Sequence, residues 1–230
     1  MLSMAKRDAL LNSLADLINK MKRGEILRVA VDGIDCAGKT MLADELMPLV
    51  EDRGRPVIRA SLDGFHNSSH VRYARGRESP EGYYLDSFNY QGLVDKLLLP
   101  LSQGGDHRYI EAIFDYRKDE PVELQPKEAD PEAVLLLDGV FLLRPELLHF
   151  WDLKIFLDIS YEESMKRAIV RNGGVGSKVE DLYLRRYIPG QKLYMIHSAP
   201  KRKTDILIDN NVPANPRITY LNKDLGLVDQ

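Results

Sequence analysis

An α/β fold is the prediction, with five parallel strands at the centre and helices on both faces. Three observations carry it. Five short runs, at residues 26–32, 56–60, 133–138, 154–158 and 204–209, are apolar almost throughout. They do not alternate with polar residues, which marks strands buried on both faces. Stretches with apolar residues at helical spacing stand between them, as helices covering a parallel sheet require.

The elements follow in order. Residues 1–24 read as an amphipathic helix, with Leu10, Leu14, Leu17, Ile18 and Met21 on one face. Asn12, Ser13 and Asp16 interrupt the apolar stretch that a signal peptide needs. The polar face is not rich in lysine or arginine, so packing on the domain is expected over a membrane surface. A helix is expected after residue 39, another over 88–99, and a third over 161–171 with further helices to about residue 200. Residues 64–87 and 115–131 are rich in Gly, Pro, Ser and charge, and read as surface loops. The 230 residues make one domain.

Composition narrows the class. Net charge is −3 and the isoelectric point about 6.0. A general nucleic-acid binder would be basic, so nucleic acid is not an expected partner. Apolar residues make up 44%, enough for a sizeable core, and no run reaches the length of a membrane span. The single cysteine, Cys36, leaves no disulfide framework or cysteine zinc cluster, which fits a reducing cytoplasm. The oligomeric state is left open.

Residues Gly33, Ile34, Asp35, Cys36, Ala37, Gly38, Lys39 and Thr40 match G-x-x-x-x-G-K-[ST] in full. A strand before and a helix after make this a phosphate site. Gly33 and Gly38 let the backbone curl so that successive N–H groups converge. The helix start adds its positive end. Lys39 supplies a charge for the β- and γ-phosphates, and the Thr40 hydroxyl a ligand for Mg²⁺. Cys36 falls where the motif accepts any residue.

Ligands of parallel sheets sit at the carboxyl ends of the strands. That rule puts Gly33, Asp63 and Asp138 on one rim. Asp63, in SLDGFH, could accept a hydroxyl proton during phosphoryl transfer, or simply cap an Asp-Gly turn. Asp138, in VLLLDG, could hold Mg²⁺, or again form a turn. Arg167 and Arg171 are four apart on one helix face and suit phosphate oxygens; the bland reading is a solvated face, as for Arg185 and Arg186. Gly173 and Gly174 are candidate hinge residues. On the acceptor side stand Asp115, Tyr116 and Arg117, with Arg72, Arg75, Arg77, Tyr83 and Tyr84, unless these belong to an exposed loop. His66 and His70 lack a third metal ligand and read as hydrogen-bonding residues, with His66 beside the acceptor.

On these residues the chain resembles the uridine kinase and phosphoribulokinase branch of phosphate-loop kinases. The resemblance covers most of residues 26–210. It rests on DGIDCAGKT, SLDGFH, SPEGYYLDSFNYQGL followed by LLLPL, FDYRKDEPV, VLLLDGVFLL, the Arg167/Arg171 helix and TDILIDN, in that order. It implies a P-loop NTPase fold with an arginine-bearing lid over about residues 161–200. It also implies ATP and Mg²⁺ as cofactors and a small-molecule hydroxyl as acceptor. Asp63 would be the base, Arg167 and Arg171 the lid arginines, and Tyr116 and Arg117 part of the acceptor side. Two departures stand out. Gly64-Phe65-His66 replaces the usual aromatic pair and is similar to pantothenate kinases, and Asp138 stands where uridine kinases commonly have Glu.

The expected activity is ATP-dependent phosphorylation of a nucleoside such as uridine or cytidine, with pantothenate or a sugar as the alternative acceptor. A GTPase switch would need Asn-Lys-x-Asp; Asn222-Lys223-Asp224-Leu225 fails at its last position. A nucleotide-binding regulator without turnover is the remaining rival.

Overall fold

A computed structural model describes residues 2–171 and 178–225. Its centre is a six-stranded sheet. The strands are β1 (Leu27–Gly33), β2 (Val57–Ser61), β3 (Val134–Asp138), β4 (Leu153–Asp158), β5 (Ile206–Asp209) and β6 (Arg217–Leu221). Their spatial order is β6-β5-β4-β1-β3-β2. The first five are parallel, and β6 adds antiparallel to β5 at the edge. The parallel core of five therefore matches the sequence reading, and β6 is the addition. Its residues are largely exposed, so the all-apolar signature that revealed the other strands is missing there.

Alternation inside β3 explains how the sheet is covered. Leu135 and Leu137 face one core, with Phe65, Leu97, Phe141 and Tyr194. Val134 and Leu136 face the other, with Leu14, Ile18, Leu46 and Val50. All four β3 residues are fully buried, the outcome expected when successive side chains point to opposite packed faces. The principal helices are α1 (Leu2–Lys20), α2 (Lys39–Glu51), α3 (Pro80–Asp86), α4 (Tyr161–Arg171) and α5 (Ile188–Ser198). The apolar face of α1 is buried against α2 and the sheet, as its spacing predicts. Fully buried Arg55 ties the end of α1 to β3: its guanidinium donates to the carbonyls of Ile18, Met21, Glu25, Glu132 and Ala133.

The segment 64–87 is not wholly a loop. It contains α3, with Tyr83 and Tyr84 buried. Ser79 accepts from the Gly82 amide at 3.0 Å and Pro80 occupies the first turn, so the helix start is written in the sequence as Ser-Pro. Helix 88–99 begins at Tyr90, capped by Asn89, and widens to a π turn over Val94–Leu98. Residues 115–131 are irregular apart from short two-stranded pairings. Gly173 and Gly174 lie outside the described residues.

Strand order reverses between β1 and β3, which opens a crevice at their carboxyl ends. Asp32 anchors its floor. It is fully buried, and it accepts from the Gly33 amide at 2.6 Å, the Leu143 amide at 3.1 Å and the Tyr194 hydroxyl of α5. Burial pushes its carboxyl from 3.8 up to about 6, against the pull of Tyr194, Gly33, Lys39 and Leu143. The folded value exceeds the unfolded one, so the fold favours the protonated acid. That contribution is complete below pH 3.8 and is lost as pH rises through about 6. The gap corresponds to about 3 kcal/mol. Asp32→Asn, neutral throughout, should therefore gain on the wild type in urea unfolding as pH rises from about 4 to about 6. Equal pH slopes for the two proteins would contradict this assignment.

Candidate active site

The phosphate loop bends where its sequence allows. Gly33 has φ +150° and Gly38 φ +94°. A Cβ on Gly33 would stand 2.5 Å from the Leu157 carbonyl oxygen, and one on Gly38 would stand 2.8 Å from Asn210 Nδ2. Cys36 also lies in the left-handed region, at φ +58°, which costs an L residue on the order of 1 kcal/mol. Neighbours hold this backbone. Arg167 Nη1 donates to the Cys36 carbonyl at 3.2 Å, and Asn210 Nδ2 donates to the Ala37 carbonyl at 2.7 Å. Lys39 is buried, with Nζ donating to the Ile34 carbonyl at 2.8 Å, so its ammonium sits across the loop.

A cleft of about 1130 Å³ opens over the loop. Asp35, Cys36, Gly38, Lys39 and Thr40 line it, while Gly33, Ile34 and Ala37 form the turn without lining it. On the rim, Thr40 Oγ1 donates to Asp138 Oδ2 at 2.6 Å. Asp138 is buried, and its Oδ1 has no hydrogen bond, although Arg59 Nη1 lies 2.7 Å away as an ion-pair partner. Arg59 Nε also binds Asp44 at 2.8 Å.

Asp63 follows β2 in a 3₁₀ turn, Leu62–Phe65. Its amide donates to Ser61 Oγ at 3.3 Å, while its carboxylate is exposed at the cleft wall. Ser61, not Asp63, therefore caps the turn, and the Asp63 carboxylate faces the cleft. His66 Nδ1 lies 2.9 Å from the Asp63 carbonyl oxygen. Its ring stacks on Tyr116, with centroids 4.8 Å apart, and packs against Phe88 at 4.4 Å. Burial, then the charge of Arg72, lowers the His66 pKa below 6.5 against the pull of Asp63, so the ring is neutral at pH 7. Arg117 lies over the Tyr116 ring at 5.8 Å and also lines the cleft.

The predicted arginines divide. Arg171 lines the cleft and is exposed. Arg167 lines it too, but its guanidinium is occupied: besides Cys36 it binds the Asn210 and Asn211 carbonyls at 2.8 and 3.0 Å and Glu163 at 2.7 Å. Its visible work is to join α4, the loop and the end of β5. Tyr83 reaches the cleft with its hydroxyl on Asp35. Arg77 does not join the cleft; it is exposed, with its guanidinium 4.9 Å from the Tyr73 ring centroid. Arg186, one of the other basic candidates, is buried beneath the same segment and donates to the carbonyls of Arg72, Gly76, Arg77 and Ser79.

Sequence reasoning gave no role to Asn210, Gln191, Ser164 or Arg59. Asn210 was findable, because it follows β5 on the same rim. Gln191 and Ser164 were not: they sit in helices, and only the fold brings them to the loop. Among the described residues no group of three or more His, Cys, Asp or Glu side chains could hold a metal by itself. Likewise, no helix among them is long and apolar enough to cross a membrane.

No protein-family model matches the chain, and no curated protein matches it in sequence. Solved structures do match in shape. A provisionally named uridine kinase from Bacillus stearothermophilus superposes with a TM-score of 0.69 at 21% identity, covering 86% of this chain and 96% of that one. A provisionally named fructose transport system kinase from Silicibacter sp. TM1040 gives 0.68 at 21% identity, covering 82% and 95%. D-glycerate 3-kinase from Cryptococcus neoformans gives 0.51 at 17%, covering 80% and 88%. The chain therefore has the α/β fold of phosphate-loop small-molecule kinases.

Proposed function

We propose that the protein is an ATP-dependent kinase that phosphorylates a hydroxyl of a small molecule, with a nucleoside such as uridine or cytidine as acceptor. One observation carries this reading: the phosphate loop and the Asp63 carboxylate line the same cleft. The triphosphate tail lies along the loop, with Lys39 at its β- and γ-phosphates. Asp63 accepts the proton of the acceptor hydroxyl as that oxygen bonds to the γ-phosphorus. The bond from the γ-phosphorus to the bridging oxygen breaks, and ADP leaves with the electron pair. His66, Phe88 and Tyr116 put aromatic rings on the cleft wall for a ring-bearing acceptor.

The rim fits a divalent cation. Thr40 gives a hydroxyl oxygen, and Asp138 gives a buried carboxylate whose Oδ1 has no hydrogen bond but would be shared with the Arg59 guanidinium 2.7 Å away. With no dedicated protein cage, phosphate oxygens and water would complete the shell, as Mg²⁺ prefers. When bound, Mg²⁺ neutralises charge that builds on the β- and γ-oxygens. The three kinases that share the fold differ in the acceptors their names carry, so the shape favours no acceptor over another.

A coupled ADP assay over nucleosides, sugars, pantothenate and glycerate tests the reading. Acceptor-dependent ADP formation with a nucleoside is expected; turnover of pantothenate or glycerate alone would reject the nucleoside, and no turnover at all would reject the kinase. Lys39→Ala should abolish activity. Asp63→Asn should cut kcat about 10²- to 10⁴-fold with ATP affinity intact by calorimetry. A near wild-type rate would remove Asp63 as the base. Asp138→Asn should raise the Mg²⁺ concentration for half-maximal rate about tenfold or more.

A further inference from the structure

We infer that Asp35 is a second acceptor-binding carboxylate, selecting a neutral acceptor with two hydroxyls on nearby carbons. This rests on the kinase reading above and adds to it the class of acceptor. The motif places Asp35 inside a loop built for anions, where a carboxylate works against phosphate binding. Its presence there calls for a different partner.

Three elements hold its side chain still. The Tyr83 hydroxyl of α3 lies 3.0 Å from both carboxylate oxygens. Gln191 Nε2 of α5 donates to Oδ2 at 3.0 Å, and the Asp35 amide donates back to Gln191 Oε1 at 3.2 Å. Ser164 Oγ of α4 donates to the Asp35 carbonyl at 2.7 Å. A carboxylate has about four lone-pair sites, and a single shared hydroxyl serves Oδ1, so the group can still accept from the cleft it lines. Burial, foremost, raises its pKa; Lys39 and Tyr83 lower it, and the nearby charge of Asp63 raises it again. Asp63 and Asp35 both line this cleft.

What fits between two carboxylates is a donor of hydrogen bonds without negative charge. A polyol meets this: one hydroxyl faces Asp63 and is phosphorylated, and a second, on a nearby carbon, donates to Asp35. The sugar of a nucleoside or a free sugar qualifies. A hydroxy acid brings a third negative charge, and like charges in a half-dry cleft repel. Of the cations that line the cleft, Lys39 sits in the phosphate loop, while Arg117 lies over Tyr116 on the acceptor side, where it can donate to a sugar hydroxyl. Tyr83 in this account is a positioning residue, acting on the acceptor through Asp35.

The test is a thermodynamic cycle between the protein and the substrate. kcat/KM is measured for wild type, Asp35→Asn and Tyr83→Phe with the nucleoside that the panel identifies and with its 2′-deoxy and 3′-deoxy analogues. Asp35→Asn should lower kcat/KM for the parent about 10- to 100-fold, the worth of a hydrogen bond to a charged group, with KM for ATP within about twofold. One deoxy analogue should show the same loss on the wild type and no further loss on Asp35→Asn. Tyr83→Phe should give a smaller loss on the parent and a reduced penalty for that analogue. If Asp35→Asn fails to fold by its melting curve, Tyr83→Phe alone decides by that reduced penalty. Penalties that multiply, or a change confined to KM for ATP, overturn the inference. So does phosphorylation of hydroxy acids alone, which leaves the kinase standing. ATP binding without any acceptor turnover overturns both.

Discussion

The geometry of the phosphate loop is the constraint on which everything else turns. Its backbone enters the left-handed region at Gly33, Cys36 and Gly38. Only glycine does so freely, and at Gly33 and Gly38 there is also no space for a Cβ. Such a turn persists because its surroundings hold it. Here Arg167 and Asn210 take the Cys36 and Ala37 carbonyls, Ser164 takes that of Asp35, and Lys39 takes that of Ile34. The amides of Gly33, Asp35 and Ala37 are taken by Asp32, Gln191 and the Ile34 carbonyl, so an anion would be met by the N–H groups of the other loop residues.

This bracing changes how the helix after β4 is understood. Arginines at i, i+4 in a basic segment suggest a lid whose guanidinium groups close on phosphate. Arg167 instead spends its donors on main-chain oxygens of the loop and of Asn210 and Asn211. A planar fork with five donors suits that task as well as it suits a phosphate. Arg171, one turn on, is the residue of the pair that remains exposed at the cleft.

Much of the fold was legible in the sequence, for a physical reason. Strands β1 and β3 are buried along their whole length, and β3 is apolar up to its final Asp138. Strands β2, β4 and β5 are buried only in part and carry Arg59, Lys154 and Asp209, yet enough apolar residues remain in each to mark a strand. The edge strand β6 is largely exposed and went unread. Helix α3 was hidden by the glycines, serines and arginines around it, although Ser79-Pro80 gave a start signal. At the site, strand-end residues such as Asp63 and Asp138 could be placed by the rule that ligands sit at strand carboxyl ends. The helical partners of the loop, Gln191 and Ser164, lie more than a hundred residues away and carry no local pattern. Arg77 shows the reverse limit: its type and neighbourhood suggest an acceptor site, while its side chain lies over Tyr73 and away from the cleft lining.

The most direct test of the account follows the phosphorus atom. The protein would be given ATP labelled at its γ-phosphate, Mg²⁺ and a nucleoside, and the products separated. The account predicts label on a hydroxyl oxygen of the nucleoside, in step with ADP. Label recovered only as inorganic phosphate, whatever alcohol is supplied, would contradict it.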